Sequence, residues 1–305
     1  MAGTGFERPE GGWGVEWRAM PSAIDLHAHS TASDGTLSPA ELVRRAAAQG
    51  VRLLALTDHD TTDGLAEAAE AAAAAGVELV PGVELSTLWE GVEVHVVGLW
   101  IDPACPALRA GLAAQRERRG ARARAMGERL ARAGIPGAYE GARALAGGGV
   151  VNRSHFARYL AAAGRGRDPG DAFERYLRQG RPGYAPPEWV GLAEGVGWIR
   201  AAGGTAALAH PGRYRLPAGR LRRLAAAFRE AGGEAVEVVC GGHTPAEVQV
   251  AAGLARRHGL AASVGSDFHA PGNPWRELGR LDPLPGGCVP VWEARAGGSP
   301  AEAWA

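Results

Sequence analysis

The sequence contains no lysine: all 33 of its basic residues are arginine, which removes lysine chemistry of every kind. Cysteine is nearly as scarce. Cys105, Cys240 and Cys288 are odd in number, far apart and in no CxxC pair, so neither a disulfide framework nor a cysteine metal site is expected. No apolar run reaches the roughly 18 residues of a membrane span, and no basic segment followed by an apolar stretch opens the chain. Both absences predict a soluble, cytoplasmic protein. There is also no charge excess, since 33 acidic residues balance the 33 arginines. A uniformly basic nucleic-acid-binding surface is thereby excluded, and any nucleic-acid contact must come from a local patch.

What is present is the punctuation of an α/β protein. With 305 residues, the chain is long enough for one large α/β domain or a smaller barrel with an inserted subdomain. Residues 1–21 are rich in Gly, Trp and Glu without periodicity and read as a disordered extension. From residue 24, short apolar runs alternate with helical patterns, the signature of βαβ units. Ser38 and Pro39 supply an N-cap and first helical residue, and Gly50 ends that helix. Strands are predicted at 51–56, 77–80 and 92–99, with an Ala-rich helix over 63–75. From 103 to about 200 the strand signal gives way to Arg-, Ala- and Glu-rich helical stretches, read as an insertion that caps the substrate site. Strands resume at 205–209, 235–239 and 261–264, with helices near 220–230 and 245–258 between them. The expected organisation is therefore a barrel in two parts, 22–102 and 201–292, a helical insertion at 103–200, and a tail at 293–305. A site built on such a barrel lies where the strands end.

Seven of the nine histidines fall in or just after those strands. The first strand runs into Asp25-Leu26-His27-Ala28-His29, and period-two alternation points both histidines to one side, as two ligands of one ion require. Asp34 follows in a Gly-containing loop. The second strand ends in Thr57-Asp58-His59-Asp60, the third in Pro81-Gly82-Val83-Glu84, and the fourth contains His95. After the insertion come His210-Pro211-Gly212 and Gly265-Ser266-Asp267-Phe268-His269. An HxH pair alone is more often incidental than metal-binding. Burying this many imidazoles and carboxylates at one rim, however, is prohibitively costly without a counter-charge, which divalent ions supply. Asp58 and Asp60 read as orienters of His59 and neighbouring groups rather than as ligands.

The order HAH, D, TDHD, PGVE, H, AHP and GSDFH resembles the polymerase and histidinol phosphatase (PHP) superfamily of phosphoesterases. The resemblance implies a distorted seven-stranded (β/α)7 barrel with an inserted helical subdomain and a trinuclear centre of Mn, Fe or Zn. Carried over position by position, it implies nine ligands: His27, His29, Asp34, His59, Glu84, His95, His210, Asp267 and His269. The implied partition is His27, His29, Glu84 and Asp267 on one ion, Glu84, His95 and His210 on a second, and Asp34, His59 and His269 on a third. Val151-Asn152-Arg153-Ser154-His155-Phe156-Ala157-Arg158, Arg181-Pro182-Gly183-Tyr184, His210-Pro211-Gly212-Arg213 and Gly242-His243-Thr244-Pro245 look like the bacterial subgroup acting on 3′,5′-nucleoside bisphosphates and on the 5′ end of short RNA.

That resemblance implies a nucleotide or short RNA as substrate, with no membrane and no obligate protein partner. Clustered divalent ions lower the pKa of bound water, so a hydroxide held between two of them is the expected nucleophile and no Ser or Cys is needed. Arg153 and Arg213 are expected to grip phosphate, with His155 and His243 as further donors or, for His243, as the acid serving the leaving group. Eight arginines and two glutamates lie between Arg109 and Arg132. They suit either an RNA backbone or a solvated helix face. Three alternatives remain: a histidinol-phosphate-type or other small phosphomonoesterase, an amidohydrolase-type metal hydrolase, and a non-catalytic metal-stabilised RNA-binding module. The usual binuclear amidohydrolase bridge, a carboxylated lysine, is excluded.

Overall fold

Ser38 accepts a hydrogen bond from the N–H of Glu41 while the Glu41 carboxylate takes the N–H of Ser38, a capping box that starts the first helix where the sequence places it. The computed structural model describes residues 22–295. The expected extension at 1–21 and the tail beyond 295 lie outside the described residues. Strand β1 (Ile24–Asp25) leads to α1 (Pro39–Ala48), β2 (Leu53–Leu56), α2 (Leu65–Ala75), β3 (Glu78–Trp89) and β4 (Val92–Leu99). Helices α3 (Pro106–Arg132), α4 (Ala138–Leu145), α5 (Arg153–Ala162) and α6 (Pro169–Ala172) follow, then a π-helical turn at Phe173–Leu177. The chain closes with β5 (Val190–Gly191), α7 (Leu192–Ala201), β6 (Thr205–Leu208), α8 (Ala218–Glu230), β7 (Ala235–Cys240), α9 (Pro245–His258), β8 (Ala261–Gly265) and α10 (Val291–Arg295).

The strands run β1-β2-β3-β4-β6-β7-β8, with β5 attached to the outer end of β3. The ring closes where Leu26 donates to Val264 O (3.0 Å), Asp267 donates to His27 O (2.8 Å), and Ala28 bridges Phe268. The result is a nearly closed seven-stranded barrel with helices around it. Strand alternation sorts the side chains of β2: Leu53 and Ala55 enter the barrel interior with Leu26, Val80 and Val97, whereas Leu54 and Leu56 pack beneath α1 and α2. Val291 of α10 joins the same interior.

One expectation fails at β3. The strand does not stop at residue 80 but continues to Trp89, turns on Glu90-Gly91, both at positive φ, and returns antiparallel as β4. Pro81 and Gly82 read as a terminus, yet Gly82 is needed because a Cβ there would lie 2.8 Å from Thr57 Cγ2 and 3.0 Å from Gly98 O. With only 81–91 between the two predicted strands, no helical crossover fits, so β4 is the one strand of the ring opposed to its neighbours on both sides.

The segment between β4 and β6 has a core of its own, centred on Met126, Leu130, Phe156, Leu160 and Leu177. Helix α3 belongs to two cores: Leu108 and Leu112 pack with the barrel, and Ala123, Met126 and Leu130 with the cap. Helix α7, near the end of that segment, packs Leu192, Val196 and Ile199 into the barrel's outer core.

Candidate metal centre

The loops leaving β1, β2, β6 and β8, together with the β3–β4 hairpin, converge on one mouth of the barrel. His27 and His29 leave β1 two residues apart, with Ala28 pinned between them by Thr57 and Phe268, and their Nε2 atoms come within 3.1 Å. Asp267 Oδ1 lies 3.2 Å from His29 Nε2 and 3.4 Å from His27 Nε2, and Glu84 Oε2 is 3.3 and 3.4 Å from the same atoms. Glu84 Oε1 lies 2.9 Å from both His95 Nδ1 and His210 Nε2. Its other oxygen is 2.9 Å from His59 Nδ1. On the far side, Asp34 Oδ1 lies 3.4 Å from His269 Nε2 and 3.9 Å from His59 Nε2. All nine predicted ligand residues therefore meet at one place. Their donor atoms form three overlapping groups: His27, His29, Glu84 and Asp267; His59, Glu84 and His95; and His29, Asp34, His59 and His269. His210 shares the Glu84 oxygen used by His95. The implied partition shares only Glu84 between two ions, whereas here His29 and His59 also reach two groups each.

The chemistry of this donor set fits divalent cations. The Glu237 carboxylate can only accept, so the 2.9 Å contact from His27 Nδ1 puts a proton there and turns Nε2 toward Glu84 and Asp267, as a ligand nitrogen requires. His269 Nδ1 likewise donates to Asp267 O (2.9 Å) and turns its Nε2 toward Asp34. Glu84 Oε2 is fully buried and has no partner in hydrogen-bond geometry, although three imidazoles surround it. Two ligand atoms each about 2.1 Å from one ion stand roughly 3.0–3.4 Å apart, the spacing seen here.

Electrostatics agree. Burial opposes charge on Glu84, but the imidazoles of His59, His27 and His95 outweigh it and hold the carboxyl well below its usual range. Burial likewise opposes charge on His95 and His269, yet the carboxylates facing them hold both at about 9. His29 goes the other way, to about 3, because burial and the charges of His269 and His59 disfavour its protonation. Positive charge is favoured at this centre. His210 and Asp267 are held at positive φ (28° and 51°), backbone strain of the kind that ligand positions tolerate when their surroundings fix them.

One supporting residue carried almost no signal in the sequence, and two others act near the place the sequence gives them. Glu237 accepts from His27 with one oxygen and from the His210 N–H (2.7 Å) with the other, so a single carboxylate fastens two ligand-bearing loops. Its only trace is a lone acid in the middle of a buried apolar strand. Asp58 accepts from Ser30 N–H and Oγ and from Ser33 Oγ, fixing the loop that carries Asp34. Asp60 accepts from Ser86 N–H and from Arg119 Nε. These two aspartates thus fix the neighbours of His59, and neither hydrogen-bonds His59 itself among the described residues.

A cavity of about 810 Å³ lies between this centre and the cap. Arg153 and Arg213 both line it; His155 and His243 do not. Arg153 Nη2 lies 3.0 Å from Glu93 Oε2 and its guanidinium sits over Phe173. Arg213 pairs with Asp267 and donates to Gly241 O (2.8 Å). His155 is buried, accepts the Asn152 N–H on Nδ1 (3.0 Å) as part of the α5 cap, and is lowered by burial to about 4. His243 keeps both ring nitrogens buried without a partner, and burial lowers its pKa. The wall also holds Arg276 and Glu93, which the sequence reading missed. Glu93 contacts Arg122, Arg153 and the Trp189 indole N–H.

A family model described as "PHP domain" matches residues 25–121. The chain is 51% identical over 271 residues to a protein of Salmonella typhimurium named 5′-3′ exoribonuclease Rnm, covering 88% of this chain and 92% of that one. It is 50% identical over 270 residues to a Chromobacterium violaceum protein named 3′,5′-nucleoside bisphosphate phosphatase, covering 88% and 95%. Among solved structures it is similar to one from Chromobacterium violaceum described as an amidohydrolase with bound SO4 and no metal. That match has a TM-score of 0.87 and 48% identity, and covers 92% of this chain and 99% of the other.

Proposed function

The chain belongs to the PHP domain family and is a metal-dependent phosphoesterase, and on that premise we propose that it hydrolyses the 3′-phosphate of 3′,5′-nucleoside bisphosphates and the first phosphodiester of short 5′-phosphorylated RNA. The two relatives named above for these activities match the chain over nearly its whole length, which supports both substrates for one pocket. The observation that carries the catalytic reading is Glu84: its two oxygens lie within 3.4 Å of nitrogens from His27, His29, His59, His95 and His210. A carboxylate so placed suits a bridge between ions.

In this reading His27, His29, Asp34, His59, Glu84, His95, His210, Asp267 and His269 hold three divalent ions drawn from Mn, Fe and Zn, which mixed nitrogen and oxygen ligation suits. Such ions, when bound, supply Lewis acidity toward phosphoryl oxygens and a water of lowered pKa. The protein's own groups do the rest. Asp267 aligns Arg213 beside the centre, where its guanidinium can take a phosphoryl oxygen. Arg153, on the cap side of the cavity, is placed for the other phosphate, which would exchange with Glu93 as its partner. The rings of Phe173 and Trp189 give the same cavity apolar surface for a nucleoside. Ser154 donates to Asp34 (2.6 Å) and ties the cap to the ligand set. His243, whose unpartnered ring nitrogens lie buried near Arg213 and outside the cavity wall, reaches phosphate or the leaving group only by turning into the cavity, and His155 acts on the substrate only through the α5 N-terminus that it caps.

The test is phosphate release from adenosine 3′,5′-bisphosphate with added manganese, in the unsubstituted protein and in His29→Ala. Metal-dependent release that His29→Ala abolishes is expected. Absence of metal-dependent phosphate release from the bisphosphate and of nucleoside 5′-monophosphate release from 5′-phosphorylated RNA overturns the substrate reading, and phosphate release from histidinol phosphate alone moves it to a different phosphomonoester.

A further inference from the structure

Helix α3 has two arginine faces. Arg119 and Arg122 point inward, buried and paired with Asp60 and Glu93. Arg109, Arg116 and Arg124 are exposed on the adjoining side, where spacings of seven and eight residues keep them within one broad stripe. Arg109 and Arg124 make no ion pair or side-chain hydrogen bond among the described residues, whereas Arg116 is tied to Thr61 and Asp63.

These three arginines line an open groove of about 780 Å³ with Thr61, Thr62, Asp63 and Glu117; Asp63 is taken up by Arg116, and the three arginines against two acids leave the groove with a net positive charge. The groove is not isolated from the metal centre. A smaller hollow shares Asp63, Arg116 and Gly120 with it, and shares Ala123 and Val151 with the central cavity. The wall of that hollow at Gly149 packs on Thr31 and Ala32, within the loop that presents Asp34. Shared walls thus make the three recesses neighbours, ranged along α3 between the central cavity and a row of exposed guanidinium groups.

We propose that this outer face of α3 holds the downstream sugar-phosphate backbone of a single-stranded oligoribonucleotide whose 5′ nucleotide occupies the central cavity. The inference rests on the substrate reading given above and deepens it. A chain cleaved at its first phosphodiester must leave the cavity on the side of the scissile phosphate, and the recesses adjoining the cavity give it a course toward α3. Arg109 and Arg124 stand about 22 Å apart along the helix axis, enough for several consecutive phosphates. Unpaired, exposed arginines bind backbone phosphate without reading bases, as an enzyme that trims any sequence needs. A mononucleotide fills only the cavity and leaves the groove empty.

The double variant Arg109→Glu and Arg124→Glu removes no buried contact, and its folding can be checked by its melting temperature. Its kcat/KM is measured on adenosine 3′,5′-bisphosphate, a 5′-phosphorylated dinucleotide and a 5′-phosphorylated hexanucleotide over a range of salt. The expected result is a loss of about tenfold on the hexanucleotide alone, with a log–log salt dependence shallower by about 1.4 for two lost single-strand contacts. Equal activity of variant and unsubstituted protein on the hexanucleotide overturns the groove and leaves the substrate reading standing. If the unsubstituted protein cleaves the bisphosphate but no oligonucleotide, the RNA half of the substrate reading falls and the groove falls with it.

Discussion

The barrel mouth and the inner wall of α3 both bury charge, and they do so in opposite ways. Arg119 has an acceptor for each of its nitrogens: Asp60 for Nε, Asn152 for Nη1 and Ser86 Oγ for Nη2. Glu84, the residue whose backbone bridges His59 beside it, has an oxygen crowded by imidazole nitrogens and satisfied by none in hydrogen-bond geometry. A buried charge with every partner in place is part of the scaffold, whereas lone pairs that converge on a common point without a donor mark a place for something that arrives later. For Arg119 and Glu84 the difference separates a structural from a functional buried charge without reference to any relative.

The comparison can be broken most directly by exchanging the two residues' fates. Glu84→Gln should lower phosphoesterase activity by roughly a thousandfold or more and reduce bound metal measured by elemental analysis, while leaving the melting temperature of chelator-treated protein close to that of the unsubstituted chain. Arg119→Ala should do the reverse at first instance, costing about 3–5 kcal/mol in denaturant unfolding because Asp60 is left buried and unpaired. If Glu84→Gln destabilises the chelated protein as much as Arg119→Ala does, the distinction fails.

Two smaller effects sharpen it. Glu237→Gln keeps shape and hydrogen-bonding capacity toward the His210 N–H but no longer holds the His27 proton by charge, and should weaken metal affinity about 10–100-fold in a competition titration. An unchanged affinity would make Glu237 a strut only. His155 lies on the scaffold side: its pKa is about 4 in the folded chain against roughly 6.5 unfolded. Between those values the unfolded chain takes up a proton that the folded one refuses, so stability is fully present above pH 6.5 and falls as pH drops through about 4. His155→Gln should therefore lose less stability than the unsubstituted protein between pH 6.5 and 4, by on the order of 2 kcal/mol, as read from urea midpoints across that range.

Much of the centre was legible because its residues sit at positions that periodicity defines. His27 and His29 share a face, and β4 and α9 begin and end where composition and capping put them. The β3–β4 hairpin was hidden because Pro81-Gly82 imitates a strand end, and only the close approach of Gly98 and Thr57 explains a glycine in mid-strand. Glu237 and Glu93 were invisible for a different reason. Their partners lie far off in sequence, His27 being 210 positions from Glu237 and Trp189 96 positions from Glu93, and a lone acid in a strand leaves no spacing to read. Arg119 was legible as charge but not as a buried residue, since its helix carries arginines on both faces.

The closure of the barrel between residues 24–29 and 264–269 has a consequence for how the protein comes into being. Asp267 and His269 lie on the last strand's exit, so the predicted ligand set is incomplete until residue 269 has left the ribosome, and the contact that joins His29 to Asp267 spans 238 positions. Contacts of such separation form late and slowly. The His59, Glu84 and His95 group can therefore assemble early in a nascent chain, while the two groups that need Asp267 or His269 wait for ring closure.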